Sequence, residues 1–221
     1  NIDINICSSF EDIKNNGNTI INCLNVGNKI SNVKYGFNTS IYGKASYQYI
    51  NEAVNLALNG KINAICTAPI SKKALHMAGY EFPGHTELLA HLTKTKEVSL
   101  MLSTPKMNVI HVTAHIGLID AIKNINSDIV FRTIERGRNI TKQLINKEPR
   151  IGVCAINPHA GEDGLFGNNE EEIKILPAIN KGLELNWNIE GPLPTDSLFY
   201  QASLRKFDPV SYTHLRAHET R

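Results

Sequence analysis

The sequence predicts an α/β protein with a largely parallel sheet. Short β-branched runs alternate with longer stretches of helical periodicity, and polar loops follow the ends of several of those runs. The scale fits as well: 221 residues, 42% hydrophobic and 20% charged, suffice for one large domain or two small ones with a buried core.

Residues 1–45 are rich in Asn and Gly, and the runs 2–6 and 18–26 read as strands. From Ser46 the pattern turns helical, with Ile50, Val54, Ala57 and Leu58 on one face and Gly60 as the stop. Residues 62–66 read as a short buried strand. Pro69 and Ser71 open a short helix that ends near Gly79. Gly84-His85-Thr86-Glu87 starts the next helix, with Thr86 as candidate N-cap. Residues 98–103 and 108–113 read as two strands around a turn at Pro105. Ser127 is expected to cap a long amphipathic helix running to about Asn146, which Pro149 breaks. A strand over 150–156, a loop over 157–164, a helix over about 169–182 and a strand over 185–189 follow. Glu170-Glu171-Glu172 suits a helix N-terminus, where the macrodipole favours negative charge.

Composition excludes several classes of function. Lys and Arg number 23 against 21 Asp and Glu, and a net charge of +2 does not make an electrostatic nucleic-acid binder. The apolar runs are too short to cross a membrane. Cys7, Cys23, Cys66 and Cys154 are far apart, so they read as free thiols of a reducing compartment, the cytoplasm, and suggest neither a zinc ribbon nor a disulfide framework. No G-x-G-x-x-G, Walker A or G-x-S-x-G pattern is present. The chain opens on Asn1 without an initiator Met, so the start of the gene product is expected to be missing.

The C-terminal stretch changes character. Upstream the chain is rich in Asn, Ile and Lys; Val-Ser-Tyr-Thr-His-Leu-Arg-Ala-His-Glu-Thr, residues 210–220, contains none of them. Its wording resembles the translation of a transposase-type sequencing adaptor. Residues 209–221 are therefore expected to be a non-native tail, and 1–208 the fragment of one catalytic unit. His214 and His218, four apart like a helical metal pair, are discounted for this reason.

In open α/β sheets ligands gather at loops beyond the carboxyl ends of strands. Three such loops each carry a histidine: Gly84-His85-Thr86-Glu87, Thr113-Ala114-His115, and Asn157-Pro158-His159-Ala160-Gly161-Glu162. A loop imidazole can ligate a divalent metal or serve as an ordinary surface group. His111 sits in a strand pattern and reads as structural, and His76 and His91 read as helix-surface residues. Ser71-Lys72-Lys73 at a helix start suits either an anion or a solvated charge pair.

In this order those three loops, with Thr67-Ala68-Pro69-Ile70-Ser71-Lys72 before them and the run from Gly191-Pro192-Leu193-Pro194 through Thr195-Asp196-Ser197-Leu198-Phe199 after them, resemble the 4-hydroxythreonine-4-phosphate dehydrogenase family of pyridoxal phosphate biosynthesis. The resemblance implies an isopropylmalate-dehydrogenase-like fold of two α/β subdomains, truncated at both ends here, in a homodimer. It implies NAD or NADP, and a divalent metal such as zinc, cobalt or magnesium. It assigns the phosphorylated small-molecule substrate to His85 and Thr86, and the metal to His115 and His159. Lys72, Asn157, Glu162 and Asp196 stand as supporting candidates, and no residue is assigned to catalysis or to the cofactor. The family's third metal histidine lies in a Tyr-His-Asp-Gln-Gly motif expected after Asp208, where the adaptor-like tail stands instead. Sugar-acid phosphates such as threonate or erythronate 4-phosphate, and aromatic dihydrodiols, are alternative substrates within the family. A phosphotransacetylase-like acyltransferase and an inactive fragment are the readings outside it.

Overall fold

The computed structural model describes residues 3–13, 20–114 and 116–214, with Thr213 and His214 described in backbone only. They form two compact units, divided between Val98 and Ser99.

In the first unit, β1 (Asp3–Cys7) and β2 (Ile20–Leu24) pair in parallel, with Asp3 opposite Ile20 and Cys7 opposite Leu24. Helix α1 (Ser40–Leu58) starts six residues before the expected Ser46, because the Thr39 hydroxyl accepts from Tyr42 N at 3.3 Å and caps it there. Ile50 and Val54 are buried as the periodicity requires, whereas Leu58 is exposed. Helix α2 (Lys72–Met77) is capped by Ser71, whose Oγ accepts from Ala74 N at 3.2 Å. It lies so close to α1 that a Cβ on Gly43 would overlap the Ala74 carbonyl. Helix α3 (His85–Leu92) completes the unit through Leu88, which joins Ile50 and Val54 in a core lined by Ile65, Ile70 and Phe82. Residues 62–66 are no strand: they enter no ladder among the described residues, and Ile65 leans on that core while Ala64 and Cys66 are exposed. A short apolar run becomes a strand only where a partner strand reaches it.

The second unit begins with β3 (Met101–Ser103), antiparallel to β4 (Asn108–Thr113). The short helix α4 (Leu118–Asn124) leads to α5 (Ser127–Ile145). Asn126, not Ser127, caps α5, its Oδ1 accepting from Ile129 N at 3.1 Å. After β5 (Arg150–Cys154) and a turn, the expected helix opens as one π turn, Glu171–Ile175, and continues as α6 (Leu176–Glu184). β6 (Asn188–Leu193) starts three residues later than expected, because Asn186 turns left-handed at φ 58° and Leu185 is exposed. Helix α7 (Thr195–Ser203) and β7 (Pro209–His214) end the described chain.

Among the described residues the sheet order is β3-β4-β7-β5-β6, and every pairing after β3–β4 is parallel. On one face Val130, Phe131 and Ile134 of α5 and Ala178 and Ile179 of α6 pack with Ile151, Val153 and Ile189. On the other, Leu198 and Ala202 of α7 pack with Val109, Cys154, Val210 and Tyr212. The residues expected to be a non-native tail thus supply the central strand. No helix among the described residues is long and apolar enough to cross a membrane, and no disulfide joins the four cysteines.

Candidate functional site

In the first unit, Gly84 is the N-cap of α3, which places His85 and Thr86 inside the first turn rather than Thr86 at the cap. The N–H groups of a first helical turn lack intrahelical partners and favour an anion. The His85 Nε2 atom is buried and finds no hydrogen-bond partner among the described residues. Lys72, the first residue of α2, is exposed. Its neighbour Ser71 is engaged in capping and in a short hydrogen bond to Asn38 Oδ1.

In the second unit, the chain leaving β5 enters the turn Pro158–Gly164, where six consecutive residues are left-handed: His159 (φ 52°), Ala160 (56°), Gly161 (78°), Glu162 (44°), Asp163 (53°) and Gly164 (89°). Each non-glycine residue in that conformation costs roughly 1–2 kcal/mol, so the turn needs support from outside itself. At its end Leu165 N donates to Glu162 O and Phe166 N to Gly161 O, both at 3.1 Å. His159 and Glu162 are exposed on this turn, and the His159 ring lies 6.2 Å from that of Phe166.

The support comes from two consecutive carboxylates. Glu171, 2% exposed, accepts from Ile156 N at 2.9 Å, Asn157 N at 2.7 Å and Asn157 Nδ2 at 2.9 Å. Glu170 accepts from Asn168 N at 2.7 Å and from Asn157 Nδ2 at 2.8 Å. The Asn168 N–H, followed by the Asn157 amide, holds the Glu170 carboxyl down at about 2, from an ordinary 4.5. The acidic triplet is thus more than a favourable charge at a helix start. What sequence reasoning missed is that Glu171 points inward, which a run of three acids cannot reveal. Asn157 is absorbed into this arrangement as its shared donor.

Asp196 is the second residue of α7, and its Oδ1 accepts from Ser197 N at 2.8 Å. Helix α7 touches the left-handed turn that follows β5. His111 is buried in β4, its ring edge-on to Tyr212 at 5.9 Å. His76 and His91 lie exposed on α2 and α3. His115 lies outside the described residues. Among the described residues no three His, Cys, Asp or Glu side chains come together as a metal-binding group. His159 is the metal candidate they contain, and the described residues alone do not complete a metal site.

Contrary to the expectation that the Gly84-His85 loop follows a strand, no strand precedes it after β2 among the described residues. The loop that bears His159 does lie beyond a strand end, in the position where open parallel α/β sheets gather ligands. The family model for the pyridoxal phosphate biosynthetic protein PdxA matches residues 1–212, and the chain belongs to that family. It is 52% identical over 190 residues to a D-threonate 4-phosphate dehydrogenase of Cupriavidus necator, across 86% of this chain and 57% of that protein. It is 43% identical over 169 residues to a 4-hydroxythreonine-4-phosphate dehydrogenase of Desulforapulum autotrophicum, across 76% of this chain and 49% of that one. The crystal structure of a 4-hydroxythreonine-4-phosphate dehydrogenase from Burkholderia phymatum superposes with a TM-score of 0.86 at 48% identity, covering 96% of this chain and 64% of that one. The chain therefore spans about half the length of the curated relatives it matches.

Proposed function

We propose that the protein to which this chain belongs oxidises the secondary hydroxyl of a four-carbon acid 4-phosphate, with NAD or NADP and a divalent metal, as a cytoplasmic homodimer of isopropylmalate-dehydrogenase-like fold. The observation that carries this reading is the strained turn that presents His159 beyond the carboxyl end of β5, in a chain of the PdxA family. In this reading His115 and His159 face the reacting hydroxyl. The first turn of α3 takes the phosphate, with Thr86 bonding a phosphate oxygen and the unpartnered His85 Nε2 supplying a further contact. Lys72, Glu162 and Asp196 are supporting groups that orient the ligand or balance its charge. When bound, the nicotinamide would take the hydride and the metal would polarise the hydroxyl. The product is a β-keto acid, whose carbonyl accepts the electrons released as CO2 leaves.

With 4-phosphohydroxy-L-threonine as substrate, the decarboxylated product is 3-amino-2-oxopropyl phosphate, a precursor for pyridoxal phosphate. D-threonate 4-phosphate, or its erythronate isomer, is the second reading. The 52% identical relative named for D-threonate 4-phosphate supports it. The test is to supply the gene's full-length product with each phosphate in turn and with a dihydrodiol. NAD(P)H together with CO2 from one of the acid phosphates is the expected result. Acyl-phosphate formation would instead establish a phosphotransacetylase-like acyltransferase. The same proposal divides the chain into a catalytic portion, 1–208, and a foreign tail, 209–221. The parent DNA tests it: a matching reading frame beyond Asp208 in place of the adaptor sequence is expected.

A further inference from the structure

We infer that Glu171 is a positioning residue: its carboxylate, with that of Glu170, clasps the two ends of the loop 157–168 and so sets the left-handed turn that presents His159. The inference rests on the reading that His159 faces the reaction, and it names what fixes that imidazole in place.

Four features converge on it. A fully buried carboxylate needs hydrogen-bond donors to replace water, and all three that Glu171 accepts from come from Ile156 and Asn157, the residues that lead into the turn. Next, the Asn157 amide is shared with Glu170, whose other oxygen and backbone-facing contacts reach Asn168 at the far end of the loop, at 3.3 Å from Nδ2 and 2.7 Å from N. Two adjacent side chains therefore hold the beginning and the end of one loop. The π turn Glu171–Ile175 begins on this clasp, and such turns recur at functional sites. Finally, the packing leaves no room for slack: a Cβ on Gly167, at φ 81°, would overlap both Asn157 Nδ2 and Glu170 Oε2. The run of left-handed residues lies inside this frame. Releasing the frame should let the turn relax and His159 reorient.

The experiment compares the histidine-labelled chain with its Glu171→Gln variant. The variant keeps the shape of the side chain but offers Asn157 Nδ2 an amide in place of an oxygen. Amide exchange over 157–168, the imidazole resonances of His159 and the thermal midpoint are recorded together. Ile175→Val, a cavity in the same π turn, serves as the control for a merely structural loss. The expected result is that Glu171→Gln speeds exchange across the turn by about tenfold or more, as the loss of a charge-assisted hydrogen bond implies. The His159 resonances move with it, while Ile175→Val lowers the midpoint and moves neither. Exchange and His159 resonances identical to the parent in Glu171→Gln would overturn the inference. Should that variant not fold, Asn157→Ala removes the shared donor and is read by the same two outcomes. Titrating the gene's full-length product with Zn2+ separates the two readings. His159 resonances indifferent to Zn2+ in that protein count against His159 as a metal ligand, while release of the turn in Glu171→Gln supports the clasp whatever Zn2+ does.

Discussion

The Ser211 hydroxyl is buried in the central strand β7, opposite Ile110 and Val153, and finds no hydrogen-bond partner among the described residues. An orphaned buried hydroxyl costs about 1–3 kcal/mol, so Ser211→Ala should raise the urea midpoint; a lower midpoint would show that the hydroxyl is bonded in solution. Glu170 makes a prediction about pH. Its carboxyl titrates near 2 in the folded chain and near 4.5 when unfolded, so its contribution to stability is complete above pH 4.5 and drains away as the pH falls through about 2. Glu170→Gln should flatten the acid limb of loop exchange around Asn157 and Asn168, and an unchanged limb would dissociate the loop from this carboxyl. His159→Ala, on an exposed turn, should abolish turnover in the full-length product and change stability by no more than about 0.5 kcal/mol. Full activity in that variant would remove His159 from the mechanism. Residue types at loops were legible in the sequence because His, Asn and Gly declare their chemistry locally. The burial of Glu171 and Ser211 was not, since it depends on what packs above them.

At the scale of elements, the positions of α1, α2, β4, α5 and β5 follow from periodicity and turn residues, with helix starts displaced where a cap intervened, while β3 begins at Met101 rather than at the expected Val98. Thr39 begins α1 early and Asn126 takes the cap of α5, because an N-cap is settled by which side-chain oxygen reaches the free N–H groups. Gly43 tests the contact between α1 and α2. With no space for a Cβ against the Ala74 carbonyl, Gly43→Ala must push the helices apart and should cost about 1–3 kcal/mol in urea unfolding. A neutral result would show the two helices standing further apart in solution. The expected strand at 62–66 failed at this scale as well, because five β-branched and small residues without a ladder remain an extended segment. Sequence pattern alone registers the apolar run and has no access to its partner.

Over the whole molecule the two units differ in how much they bury. Residues 99–221 hold a sheet covered on both faces, by α5 and α6 on one and α7 on the other. Expressed alone they should unfold in one cooperative transition, followed by circular dichroism in urea; a gradual, unstructured loss of signal would contradict an independent core. The first unit gathers a smaller buried cluster around Ile50, Val54 and Leu88, while Ile4, Ile6 and Ile21 of its two strands are exposed. By itself the sequence determined the alternation of strands and helices, the parallel character of the sheet, the family and the loops that carry its histidines, because periodicity and motif spacing are local properties of the chain. The tertiary structure alone decided that the last described strand lies between β4 and β5, that six left-handed residues carry His159, and that Glu171 turns inward to hold them. Those outcomes arise from pairings and buried hydrogen bonds between residues far apart in the chain, where no local pattern records the partner.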